Sequence, residues 1–212
     1  MTLQEKQHII SNHPVFTGLQ KELIDFVAER VQEKNYSSHE IIIRQGDKSD
    51  AVYLIYNGLY KVYILNDEGK PIPVKTSEVQ DFVGDLGVVD GKPVPATVEA
   101  LQETNALIIS KENFLLVMNT YPSFVRHLLN LWGKKVRIIN EQRENSFSLQ
   151  LKERTLFILK KLAPAFPNNT ITLSQEEIAF MVGATRARVN EVLHELEQEK
   201  KISLAHHTIQ IL

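Results

Sequence analysis

The stretch from Ser174 to Lys200 constrains this chain more than any other, because it sets two helix starts, a glycine turn and a buried stripe in one register. Ser174 followed by Glu177 makes a capping box, in which the hydroxyl satisfies an orphan N–H and the carboxylate reaches back to the cap. A first helix starts there, with Ile178, Phe180, Met181 and Val182 as its apolar side. Gly183 stands where a helix ends on a residue tolerant of positive φ, so Gly183-Ala184 is the tight turn. Thr185 is a second N-cap. Val189, Val192, Leu193 and Leu196 then recur at the three- and four-residue spacing of a helix buried on one face. Small Ala179 lies where the two helices cross closely. A plain helical hairpin shows any one of these signs, but their joint register is that of a DNA-binding helix-turn-helix.

The polar side of the second helix carries Arg186, Arg188, Asn190 and Glu191. After Lys201, Ile202-Ser203-Leu204 and Thr208-Ile209-Gln210-Ile211 form a small hairpin turning at Ala205-His206-His207, which makes the motif winged. A formal net charge of -2 over 212 residues excludes a polycation that coats nucleic acid. Affinity for DNA phosphates must come from a local patch of Arg186, Arg188, Lys200 and Lys201, with His206 and His207.

The absence of cysteine excludes disulfides, thiolate-held zinc and cysteine-ligated iron–sulfur clusters. Polar residues Gln4 to His8 interrupt any leader-like apolar run, and no later stretch is long enough to span a bilayer, so the expected compartment is the cytoplasm.

Residues Thr2 to Asn12 and Leu19 to Gln32 read as helices. From Ser37 short β runs follow, broken by turn residues: Ile41–Ile43, Ala51–Tyr56, Leu59–Leu65, Ile72–Lys75, Ala96–Ala100 and Ala106–Ser110. Asn57-Gly58 between two of them is a two-residue hairpin signal. The pattern is that of an antiparallel jelly roll. Asp81 to Val98, rich in glycine and proline, leaves the strand path and returns, as a ligand cradle does.

Lys111 to Asn119 and Tyr121 to about Glu144 turn helical. Val125, Leu129, Trp132, Val136 and Ile139 follow the four-three alternation of a heptad seam, which a second copy of the chain would cover. Asn145-Ser146-Phe147-Ser148 reads as a polar hinge, and Leu149 to Phe166 as a further helix.

Taken in this order, the elements resemble the Crp/Fnr family of transcription regulators. The resemblance covers almost the whole length. Its marks are Gln45-Gly46-Asp47 with Asn57-Gly58, the cassette Gly84 to Val98, Arg154, and the Ser174 to Leu196 motif. It implies an α+β chain: an N-terminal antiparallel β jelly roll of the cyclic nucleotide-binding type over 1–120, a long dimerisation helix over 121–145 and a winged helix-turn-helix over 146–212. It further implies a homodimer on a two-fold symmetric site in double-stranded DNA, no membrane partner, and contact with RNA polymerase if the protein activates.

The departures concern the effector. Family members that bind cyclic AMP carry Gly-Glu-Leu, then Arg-Ser-Ala, with the Glu on the ribose and the Arg and Ser on the phosphate. The aligned pocket residues here are Gly84, Asp85 and Leu86, then Val94 and Pro95, with Ile139 and Asn140 where a polar pair meets the base. Val carries no charge, and Pro offers neither hydroxyl nor N–H. A charge-assisted phosphate contact is thus lost, and cyclic AMP is not the expected effector. The family's base-reading positions fall on Arg186, Ala187 and Glu191, beside Thr185, Arg188 and Asn190. Arg186 has the reach for guanine. Half-sites about 34 Å apart follow from the geometry of such dimers.

An enzyme is disfavoured, since no nucleophile–base pair, metal spacing or phosphate loop occurs. The alternatives kept are a dimer that does bind a cyclic nucleotide, and one whose winged domain contacts protein instead of DNA.

Overall fold

The computed structural model describes residues 1–76, 81–205 and 208–212. Their contacts divide the chain into two compact units, residues 1–137 and 138–212.

In the first unit, helix α1 (Leu3–Asn12) is capped by Thr2, and α2 (Lys21–Arg30) ends on extended Val31. The helix expected to reach Gln32 stops short, and Gln32–Tyr36 is strand β1. Its first four side chains are exposed, so no apolar alternation marks it. Pairing with a distant strand, Thr104–Ser110, makes it β.

Strands β2 (Ile41–Ile43), β3 (Ala51–Asn57), β4 (Tyr60–Leu65), β5 (Pro71–Thr76), β6 (Asp81–Val83), β7 (Thr97–Ala100) and β8 (Thr104–Ser110) complete two antiparallel sheets. Their orders are β1-β8-β3-β6 and β2-β7-β4-β5. Alternation along β3 explains the layering. Ile55 joins Tyr36, Ile43, Tyr60, Val62, Val83, Val94 and Val98 between the sheets, while Val52 and Leu54 pack with the helices on the outer face. That outer layer holds Leu23, Val27, Phe114, Phe124 and Leu128.

Asn57-Gly58 is not a hairpin turn. The strand before it belongs to one sheet and the strand after it to the other. Gly58 has φ +105°, and a Cβ there would lie 2.5 Å from Thr104 Cα, so the position demands glycine for a close crossing between sheets.

The cassette contains more structure than a loop. β6 runs into Gly84 at φ 85°, then into a short helix α3 (Asp85–Asp90) closed by Gly91. Helix α4 (Lys111–Thr120) follows, capped by Ser110, and then α5 (Pro122–Ser148). Residues 145–148 continue α5 instead of forming a hinge. The break comes at Leu149-Gln150, where Gln150 is extended and its N–H donates to Glu153 Oε2 at 3.1 Å to start α6 (Leu151–Leu162).

The second unit places α6 against α7 (Gln175–Val182) and α8 (Arg186–Gln198). A small antiparallel sheet of β9 (Thr170–Ile171), β10 (Ile202–Ala205) and β11 (Thr208–Ile211) has order β10-β11-β9. Leu159, Ile171, Ile178, Val189, Leu193, Leu196 and Ile202 are buried in this unit. His206 and His207, expected at the wing tip, lie outside the described residues. Among the described residues no helix is long and apolar enough to cross a membrane.

Candidate functional site

The helix-turn-helix is built by its caps. Ser174 Oγ accepts from Glu177 N–H at 3.2 Å, and Glu177 Oε2 accepts from Ser174 N–H at 2.7 Å. Gly183 ends α7 in the left-handed region at φ 65°, and Ala184 N–H returns to Ala179 O at 2.9 Å. Thr185 then caps α8, its Oγ1 accepting from Arg188 N–H at 3.4 Å.

Val189, Val192, Leu193 and Leu196 face inward, which leaves Thr185, Arg186, Ala187, Arg188 and Glu191 exposed and Asn190 half-buried. Two of these six side chains engage each other, since Arg188 and Glu191 form an ion pair at 2.7 Å. Asn190 Oδ1 accepts from Gln175 Nε2 at 2.8 Å, a contact that no local pattern marks. Arg186 makes no ion pair among the described residues and stands at the positive end of α8, where helix dipole and guanidinium add.

The far end of α8 has the opposite charge and is neutralised from α6 and the wing. Glu199 meets Lys152 at 2.7 Å and Lys201 at 2.6 Å, and Lys152 also meets Glu195 at 3.4 Å. Hydrogen bonds from Lys152 and then Lys201 hold the Glu199 carboxyl down to about 2, and the same contact to Glu199 raises Lys152. Lys201 and Arg188 are thus each paired with a carboxylate at the surface, whereas Arg186 makes no ion pair among the described residues. Arg154 has a structural place as well: its Nε donates to Val182 O at 2.9 Å, at the end of α7.

In the barrel, the cassette acid does not face solvent. Asp85 is 4% exposed, and its Oδ2 accepts from Trp132 Nε1 at 2.7 Å and lies 3.2 Å from Lys135 Nζ. Lys135 also donates to Phe82 O at 2.7 Å and lies 3.4 Å from Asp81 Oδ1, while Tyr60 O–H donates to Asp81 Oδ2 at 2.8 Å. The side chains of Trp132 and Lys135, three residues apart on α5, thus close over two buried carboxylates. Lys135, Asp81 and Tyr60 were missed from sequence because their partners lie about fifty residues apart in the case of Lys135 and Asp85.

Gly84 tolerates its positive φ and a close approach to Ala51 O, where a Cβ would lie 2.8 Å away. Val94 is 5% exposed and packs between the sheets, with its backbone bonded in both directions to the 46–47 turn. Leu86 and Pro95 are exposed. Ile139 and Asn140 are exposed residues of the second unit.

Along the seam, Leu129 and Val136 are each 57% exposed and Ile139 44%, whereas Val125 is half-buried and Trp132 is tied to Asp85. No group of three or more His, Asp or Glu able to hold a metal occurs among the described residues. Glu99 is engaged by Lys61 at 2.9 Å and by Tyr63 O–H at 3.1 Å.

Residues 33–121 match the cyclic nucleotide-binding domain and residues 149–212 the Crp-like helix-turn-helix domain. The cAMP-activated global transcriptional regulator CRP of Salmonella typhimurium is 28% identical over 83% of this chain and 87% of its own. The cyclic AMP receptor protein of Thermus thermophilus is 23% identical over 93% of this chain and 92% of its own. Among solved structures, the c-di-GMP responsive global regulator CLP of Xanthomonas campestris superposes with a TM-score of 0.77 at 17% identity, covering 91% of this chain and 99% of that one.

Proposed function

Because the chain belongs to the Crp/Fnr family of transcription regulators, we propose that it works in the cytoplasm as a homodimer, binds a palindromic promoter site through α8, and answers to an effector other than cyclic AMP. If it activates, RNA polymerase is the further partner. The observation that carries the DNA reading is the exposed first turn of α8, where Arg186 has no carboxylate partner among the described residues and is free for a guanine edge. For the dimer, the support is the exposed apolar series Leu129, Val136 and Ile139. Burying large apolar side chains at roughly 1.5–3 kcal/mol each, from two chains, offsets the entropy of association.

The effector reading rests on what stands where a cyclic phosphate would be held. Val94 is turned into the core and Pro95 has no donor, while Asp85 already has Trp132 and Lys135 as partners. The curated relatives described above are named for cyclic AMP, so the ligand specificity proposed here departs from theirs.

The test is a titration of a site selected from randomised DNA, at several salt concentrations, with and without cyclic AMP. Binding should weaken steeply with salt, be indifferent to cyclic AMP, and lose about 1–3 kcal/mol of discrimination at one symmetric base pair in Arg186→Ala. A shallow salt slope with no selectable site would overturn the DNA reading. Tighter DNA binding together with a raised melting temperature in cyclic AMP would overturn the effector reading.

A further inference from the structure

We propose that Gln175 determines which base is read at Asn190, by turning the carbonyl of that side chain away from the DNA; the proposal rests on the DNA-binding reading above. Asn190 lies four residues after Arg186, one helical turn on, and therefore shares its face of α8. Its amide offers one acceptor oxygen and an NH2 donor. In the second unit that oxygen is aimed at α7, where one of its two lone pairs is used: Gln175 Nε2 donates to Asn190 Oδ1 at 2.8 Å. Both side chains are half-buried, and Gln175 is the first residue of α7, fixed by the box between Ser174 and Glu177.

The consequence concerns which base edge fits. An Asn reads adenine by presenting oxygen and nitrogen together, to N6 and N7. With its oxygen directed at Gln175, Asn190 presents only N–H groups. That favours an edge made of acceptors, guanine N7 and O6, over adenine and over the cytosine amine. Gln175 stands on α7 and acts through Asn190, so it is a positioning residue, and it adds a determinant outside the recognition helix.

Gln175→Glu tests this without changing side-chain size. A carboxylate only accepts, so Asn190 must turn its NH2 inward and its oxygen outward, and the selected base should change from guanine to one with an amine, cytosine or adenine. Gln175→Ala frees the whole amide and should admit adenine. The readout is the base distribution from a randomised palindromic library with full-length protein, where a change on the order of tenfold in relative affinity is expected at one symmetric pair of positions. Overall affinity is a poor readout, since a new carboxylate near phosphates weakens every site alike. A carboxylate at the start of a helix is favourable, so folding is retained, and a melt checks it.

Unchanged base preference in both variants overturns the proposal while leaving the DNA reading intact. So does a shift by Gln175→Glu that persists in an Asn190→Ala background, because Gln175 would then act by another route. Failure of the wild type to select any symmetric site would overturn the DNA reading and this inference with it.

Discussion

The two units handle charge in opposite ways. In the C-terminal unit the cation best placed to meet a ligand, Arg186, stands in water at the start of α8, and the ion pairs nearby are at the surface. In the N-terminal unit the charges of the cassette are folded inward, Asp81 and Asp85 against Lys135, under Tyr60 and Trp132. Exposed charges contribute little to stability and remain available for binding. A buried, mutually satisfied set is costly to disturb, because removing one member strands the others. Substitutions of the exposed charges of α8 should therefore change binding with little effect on folding, and substitutions in the buried cassette set should do the reverse.

The largest expected effect is a backbone one. Gly58→Ala puts a methyl against Thr104 Cα at a φ of +105°, and should destabilise the N-terminal unit by about 4 kcal/mol. The chain has a single tryptophan, Trp132, which lies in that unit, so the fluorescence midpoint in denaturant follows its unfolding. An unchanged midpoint would mean the strand crossing is looser than its geometry implies.

Lys135→Met goes to the centre of the comparison. It removes the cation that faces two buried carboxylates, and should cost about 3 kcal/mol on the same fluorescence measurement. A loss below about 1 kcal/mol would place this pair with ordinary surface ion pairs and break the contrast between the units.

The same contrast governs what could be read from the sequence. Everything that builds α7, the turn and α8 lies within a few residues: Ser174 with Glu177, Gly183, Thr185, and the buried stripe from Val189 to Leu196. Local signals suffice where the structure is local. The barrel depends on pairings between distant segments. Asn57-Gly58 announces a glycine conformation but not which strands it joins, so it looked like a hairpin when it is a passage between sheets. β1 was hidden because Gln32 to Asn35 are polar and exposed. The partners of Asp85 lie on a helix far along the chain, and no periodicity announces them. Gln175 was equally silent, because it contacts Asn190 across the crossing of two helices.

In the C-terminal unit the effects should be smaller. Ser174→Ala removes the cap of α7 and should cost about 1 kcal/mol, seen as faster hydrogen exchange in α7 and α8 with the Trp132 midpoint unmoved. A coincident loss at Trp132 would show that the two units unfold together.

Glu199 provides the smallest effect and the most direct check that surface charge contributes little here. Its carboxyl is lowered on folding from 4.5 to about 2 by Lys152 and Lys201. A group whose pKa falls on folding stabilises above its unfolded value and loses that contribution as the solution is acidified through its folded value. The C-terminal unit should accordingly lose a small part of its stability between pH 4.5 and about pH 2, and Glu199→Gln should flatten that part of the profile. Because the group is in water, salt should screen the difference nearly away. A pH dependence that survives high salt would mean that the acidic end of α8 is held as firmly as the cassette, and that the two units differ less than their burial suggests.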